Sequence, residues 1–473
     1  MISFIAPSIC QEAYSNPTIA FAGDTLFGRI VGREASAKRE PPWASVFSSL
    51  NKWDYVVVNF ECAVGDENLC KDKNKKDSHL CFNVTGEQLN DWGKLPFDAI
   101  NFENNHACDL GEEGRKLTAD YMSSKGVEVL TWALSPNIIA LANRRIAIIS
   151  INSVVPKSRY NSNLYELIPQ KARLAHYLAD FVVLDIHWGI ELQSWPNEKM
   201  KKDARWFIDN GVDVIIGHHP HVIIPPAAYD GKPVFYSLGN FIFDQKYAET
   251  KKGLVAVASI DNNGRVGFST YLVETGVNSV LPWNISAENS YDEVLKKAVF
   301  KSERKKLNFD GLAVSVEQSE KPDEYFLAVS RGGKNVFNSP ALPLLAVYST
   351  KLRPKLNENV LVTLENHYSS MDNQMAPRPY VYRVTKNGLV ALWRGSALAR
   401  PIVDMFMFNT KSEDYLCVLH RGDSYLEPDP GTKKRMLAFY AWNGFGFNIV
   451  ENVPQEVMRK AKLVYGDISD EVN

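Results

Sequence analysis

Eight short apolar, β-branched runs recur between about Thr18 and Phe241, and they constrain the fold more than any other feature. They read TIAFAGDT, DYVVVNFEC, FDAINFENN, VEVLTW, RRIAIISIN, FVVLDIHWG, VDVIIGHH and PVFYSLGNF. Amphipathic stretches lie between them, such as 111–125 and 197–210, the second closing on Asn210-Gly211, a helix C-cap signal. Strands that alternate with helices predict an α/β layered fold, in which ligands sit beyond the carboxyl ends of the strands. Two more strands, GLVAVASID and VGFSTYLVE, finish this region near Pro282.

The polar residues that end these runs are therefore expected to converge. Asp24 follows AFAG, and Glu61 follows VVVNF. Asn104, Asn105, His106 and Asp109 follow FDAINFE, and His187 closes VVLDI. His218, His219 and His221 follow VIIG and make up three of the nine histidines. In an extended segment His219 and His221 would share a side and His218 would take the other, as a neighbour or packing residue. Asp, Glu, Asn and His donors together suit Mn, Fe or Zn, and they suffice for two divalent ions bridged by one carboxylate.

At 473 residues the chain is expected to form more than one domain. The segment 286–340 is charged and weakly patterned; it reads as a linker or small extension, with a possible helix near 291–302. From 341 to 473 an internal repeat of about 55 residues is expected. PLLAVYST matches PIVDMFMF, VLVTLENHY matches YLCVLHRGD, and PYVYRVTKNGL matches MLAFYAWNGFG. Each copy has a turn-forming Asn-Gly after an aromatic strand, which predicts a β-rich domain of two meander-like units. The aromatics Tyr380, Tyr382, Trp393, Tyr440 and Trp442 read as its core before they read as a binding face.

A net charge of −2 gives no reason to expect a nucleic-acid partner. The one dense basic run, Lys71 to Lys76, is interrupted by Asp72 and Asn74 and reads as a solvated loop. No apolar run reaches the ~18 residues of a membrane span, and MISFIAPSIC lacks the pattern of a secretory leader. A cytoplasmic location with reduced thiols is the expectation, although Cys70 and Cys81 flank the lysine run and could pair under oxidising conditions.

AFAGDTLFGR, VNFECAV, NNHACDLG, HWGIE, GHHPHV and YSLGNFIFD, in that order over residues 17–285, resemble the poly-γ-glutamate capsule-synthesis (CapA) family of the calcineurin-like metallophosphoesterase superfamily. The resemblance implies a four-layer α/β/β/α sandwich with a dinuclear metal site. It places Asp24 and His221 on one ion and Asn105, His187 and His219 on the other, with Glu61 bridging. It implies His106 as general acid, Arg29 as an anion contact, and Asp109 and Glu191 as residues that orient ligands. Two positions depart from the wider superfamily: Leu26 stands where a histidine is usual, and Glu61 where aspartate is. The activity implied is metal-dependent hydrolysis of a phosphoester or a peptide-like glutamyl bond, on a small-molecule or peptide/polyglutamate substrate. The same parts would serve a peptide epimerase working by α-proton abstraction, or a non-enzymatic component of capsule polymer assembly. The oligomeric state is left open.

Overall fold

A computed structural model describes residues 16–70, 80–133, 135–154, 164–276, 279–287, 291–321, 323–370, 373–395, 397–429 and 431–466. The lysine run 71–76 and the N-terminal stretch with Cys10 lie outside these residues.

Two sheets pack face to face. The first, of nine strands, is centred on the parallel strands β1 (Thr18–Thr25), β2 (Tyr55–Phe60) and β3 (Ala99–Asn101). Antiparallel strands Lys252–Ile260 and Arg265–Thr275 extend it beyond β1. The second, of six strands, is built around parallel β4 (Arg144–Asn152), β5 (Phe181–His187) and β6 (Val214–His218).

Every residue of β5 is buried, so both faces of the strand meet apolar layers. Phe181 and Val183 face inward, with Ile19 and Phe21 of β1 and Val214 and Ile216 of β6, and this layer joins the two sheets. Val182, Leu184 and Ile186 face outward against helices α3 (Leu164–Leu178) and α4 (Glu198–Asp209). On the far side, Ala20, Ala22, Val56 and Val58 pack beneath α1 (Arg29–Lys38) and α2 (Gly111–Ser124) through Val31, Ala35 and Met122. The layers thus run helix, sheet, sheet, helix. Met200, Ala204, Phe207 and Ile208 form the buried stripe of α4, whose N-terminus is capped by Asn197 Oδ1 accepting from Met200 N (2.9 Å).

Three four-stranded antiparallel sheets follow, at Leu307–Asn338, Leu344–Arg394 and Ile402–Ile449, and then a helix, Gln455–Tyr465. The repeat pairs of the sequence fall on equivalent first, second and third strands of the last two sheets. The segment 286–340, expected as a linker or small extension, carries the first of the three sheets. Its helix is confined to Asp292–Leu295. The turn between its last two strands is Gly332-Gly333, both at positive φ, where the later copies carry Asn-Gly. That substitution hid the first copy. Tyr440 and Trp442 lie in the core shared by the second and third sheets, with Trp393 packed against it.

Helix α3 belongs to both halves. Ala172 and Ala175 pack under the second sheet of the sandwich, while Leu174 and Leu178 enter the core of the first two small sheets. Fully buried Asp404 accepts from Gln170 Nε2 (3.0 Å) and pairs with the Arg173 guanidinium. Among the described residues, no helix is long and apolar enough to cross a membrane.

Asp404→Ala leaves Arg173 without its buried counter-charge. The expected cost is about 3 kcal/mol, read as a lower urea midpoint with an unchanged circular dichroism spectrum before the transition.

Candidate metal centre at the strand ends

The carboxyl ends of β1, β2, β3, β5 and β6 meet between the two sheets. Gly23 lets β1 approach closely: a Cβ there would lie 2.0 Å from Gly239 O. That carbonyl accepts from Asp24 N at 2.9 Å, which fixes where the Asp24 carboxylate points.

Asp24 is fully buried. Its Oδ1 accepts from Asn59 Nδ2 (2.8 Å), and its Oδ2 lies 3.0 Å from His221 Nδ1. Burial alone would raise its pKa, but hydrogen bonds and charge from His218 and His221 hold it well below the usual carboxylate range.

Glu61 is also fully buried, and among the described residues neither of its oxygens has a hydrogen-bond partner. Oε1 lies 3.0 Å from His187 Nε2 and Oε2 lies 3.7 Å from His221 Nε2, close but without hydrogen-bond geometry. Burial, then the charge of Asp24, pushes its pKa well above the ordinary value. His187 Nε2 meets Asn105 Oδ1 at 2.8 Å as well, so a histidine, an amide oxygen and a carboxylate converge. The ligand atoms of Glu61, His187 and His219 lie within 4.8 Å of one another, as do those of Asp24, Glu61 and His221, and those of Glu191, His219 and His221.

The three crowded histidines do not lie in one extended segment. β6 ends at His218, and His219 and His221 both take positive φ (98° and 60°). This is a left-handed turn, not an alternating strand. Such backbone in non-glycine residues is costly and clusters at functional sites. His218 lies between two carboxylates, its Nε2 3.0 Å from Asp185 Oδ1 and its Nδ1 3.5 Å from Asp24 Oδ1. Burial would lower its pKa; Asp185 and then Asp24 outweigh burial and lift it to about 10. His219 is pushed down to about 4 by burial and then by His221, and His187 well down by burial and then by His219. Both are therefore neutral near pH 7, the form in which imidazole binds metal. His221 is held up to about 9 despite its burial, because Glu61 and Asp24 face it.

His106 sits beside this group. Its Nδ1 is 2.7 Å from Asp109 Oδ2, and its ring stacks on Phe82 at 3.7 Å. Asp109 Oδ2 also accepts from Phe82 N (2.8 Å), so one carboxylate fixes both rings. Arg29 lies over the same Phe82 ring (4.7 Å), and its Nε pairs with Asp244 at 3.1 Å. Asn104, adjacent to Asn105, is scaffold: its Nδ2 donates to Phe60 O (2.9 Å) and Asn59 Oδ1 (3.3 Å). Leu26 is buried in the outer apolar layer and offers no ligand.

Sequence reasoning missed Asn59, Phe82, Asp185 and Asn240. Asn240 Oδ1 meets His221 Nδ1 at 2.9 Å, and Asn59 Nδ2 lies 3.2 Å from His187 Nδ1. A signal was present for three of them: a polar residue inside the apolar runs VVVNF, VVLDIH and SLGNF must find a buried partner.

Residues 18–245 match the family described as Bacterial capsule synthesis protein PGA_cap. The chain is 27% identical over 337 residues to PGA biosynthesis protein CapA of Bacillus subtilis, covering 66% of this chain and 86% of that protein. It is 29% identical over 298 residues to Capsule biosynthesis protein CapA of Bacillus anthracis, covering 57% and 67%. It is 34% identical over 322 residues to the uncharacterized protein y4sH of Sinorhizobium fredii, covering 51% and 69%. With its strand-end residues gathered at one place, the chain belongs to the PGA_cap family of bacterial capsule synthesis proteins.

Proposed function

We propose that the protein is a metal-dependent hydrolase whose two-ion site acts on a peptide-like glutamyl bond or a phosphoester in capsule polymer metabolism. The observation that carries this reading is Glu61: a fully buried carboxylate, ringed by Asp24, His187, His219 and His221, with no hydrogen bond to either oxygen. An ionised carboxylate in such a place needs a cation. The donors fit one. Asp24 and His221 would hold one ion, Asn105, His187 and His219 the other, and Glu61 both; the mixed oxygen and nitrogen set suits Mn, Fe or Zn. The ions would supply Lewis acidity toward an acyl or phosphoryl oxygen.

The chain's own residues supply the rest. Asp109 holds Nδ1 of His106, and Nε2 is the ring nitrogen that would carry the proton for a departing amine or alkoxide. Phe82 holds that imidazole ring flat. Arg29, held by Asp244 against the same Phe82, offers a guanidinium to an anionic group beside the leaving side. His218, bound to Asp185, keeps β6 in register with the ligand turn. The relatives are named for biosynthesis of PGA and of capsule, which favours a glutamyl substrate.

Excess Mn(II) is expected to raise the melting temperature of chelator-treated protein; binding at 100-fold over Kd corresponds to about 2.7 kcal/mol. Glu61→Gln keeps the shape of the side chain but removes a buried carboxyl that has no hydrogen-bond partner among the described residues, so the metal-free variant should melt no lower than the wild type and should gain nothing from Mn(II). A full Mn(II) shift in Glu61→Gln contradicts the ligand assignment. Assays of phosphoesters and γ-glutamyl peptides with Mn, Fe and Zn test the reaction. On the substrate that turns over, His106→Asn should lower kcat by about 10²–10⁴ while the Mn(II) shift persists.

A further inference from the structure

On the two-ion reading the Asp24 side has three donors, Asp24, His221 and Glu61, against four on the other, and Leu26, buried in the outer apolar layer, adds none. Another residue is placed to make good the deficit. The loop after β5 is tied to the ligand turn at two points: Trp188 N donates to His218 O (3.1 Å), and Leu192 N donates to Pro220 O (2.9 Å). Pro220 is the residue between His219 and His221. The loop bends through Gly189 at φ 94° and Leu192 at φ 62°. A leucine in the left-handed region is strained, and Ile190 and Leu192 are left 57% and 45% exposed. Apolar burial therefore does not explain this loop.

What the loop does achieve is to set the Glu191 carboxylate within 4.8 Å of the ligand nitrogens of both His219 and His221. Glu191 makes no hydrogen bond and no ion pair with any described residue. The neighbouring acids are already engaged: Asp109 with His106, Asp185 with His218, and Asp244 with Arg29. Glu191 and Glu61 thus reach the same histidine pair, Glu191 from the exposed side and Glu61 from the buried side. Two divalent ions also bring more positive charge than Asp24 and Glu61 alone can balance, and a third carboxylate reduces that excess.

We infer that Glu191 is a direct metal ligand on the solvent side of the site, supplying the donor that Leu26 does not. The inference rests on the two-ion reading above. It also makes the ligand set asymmetric: the inner donors are rigid and buried, while the outer one sits on a loop and faces the substrate.

The test uses the full chain loaded with Co(II), whose visible absorption reports coordination number and donor type. Glu191 is exposed and unpartnered, so Glu191→Gln should leave the melting temperature of the metal-free protein unchanged. It should weaken Co(II) binding at one of the sites by about 10- to 100-fold or more, the range known for residues that only support ligands. It should also change the visible band, and Glu191→Asp should restore part of both. Weaker binding with an unaltered band would make Glu191 an outer electrostatic neighbour and overturn the inference, as would unchanged binding. Wild-type protein that takes up no Co(II), Mn(II) or Zn(II) would instead sink the metal reading itself, and a His219→Ala control separates the two failures.

Discussion

A carboxylate buried without a hydrogen bond sets the terms for the rest of this molecule. Glu61 is closed off from solvent between two sheets, and its oxygens face imidazole nitrogens rather than backbone amides. Leaving such a group charged and unpaired would cost several kcal/mol. Burial, and then the charge of Asp24, push the Glu61 pKa well above the ordinary value, while His221 is held up to about 9 despite its burial because Glu61 and Asp24 face it. The surrounding architecture follows from the need to hold that arrangement still. Asn59 ties Asp24 to His187, Asn240 holds His221, and Asp185 secures His218 behind the turn.

The fold supplies the precision. All the donors stand at or just beyond strand ends, and those strands are buried on both faces, so their registers are fixed by two apolar layers at once. Glycines allow the approach: a side chain at Gly217 would strike Tyr236 O at 2.2 Å and Trp188 Nε1 at 2.6 Å. The three small sheets dock through α3, whose two faces serve two cores, and through Asp404. Their position relative to the site is thereby set by a buried ion pair and not by a tether alone.

Most of the sandwich was legible in the sequence, because doubly buried strands write themselves as unbroken apolar runs. Asp24, Glu61, Asn105, His187, His219 and His221 were legible for the same reason: each is a polar residue where such a run stops. What could not be read was the backbone. Strand alternation was the ground for sorting the three histidines, yet His219 and His221 sit in a left-handed turn that no periodicity announces. Asn59 and Asp185 were passed over because each lies inside an apolar run, where the eye reads core. The first small sheet was missed because Gly-Gly replaces Asn-Gly at its final turn, and because its strands carry charge on their open face.

The central claim is that the buried carboxylate bridges two cations. Crystals soaked in Mn(II) and measured at the manganese absorption edge test it most directly. The account expects two anomalous peaks at the carboxyl ends of β1, β2, β5 and β6, with Glu61 contacting both. A map with no anomalous density there, and an ordered hydrogen bond to Glu61 in its place, would contradict it.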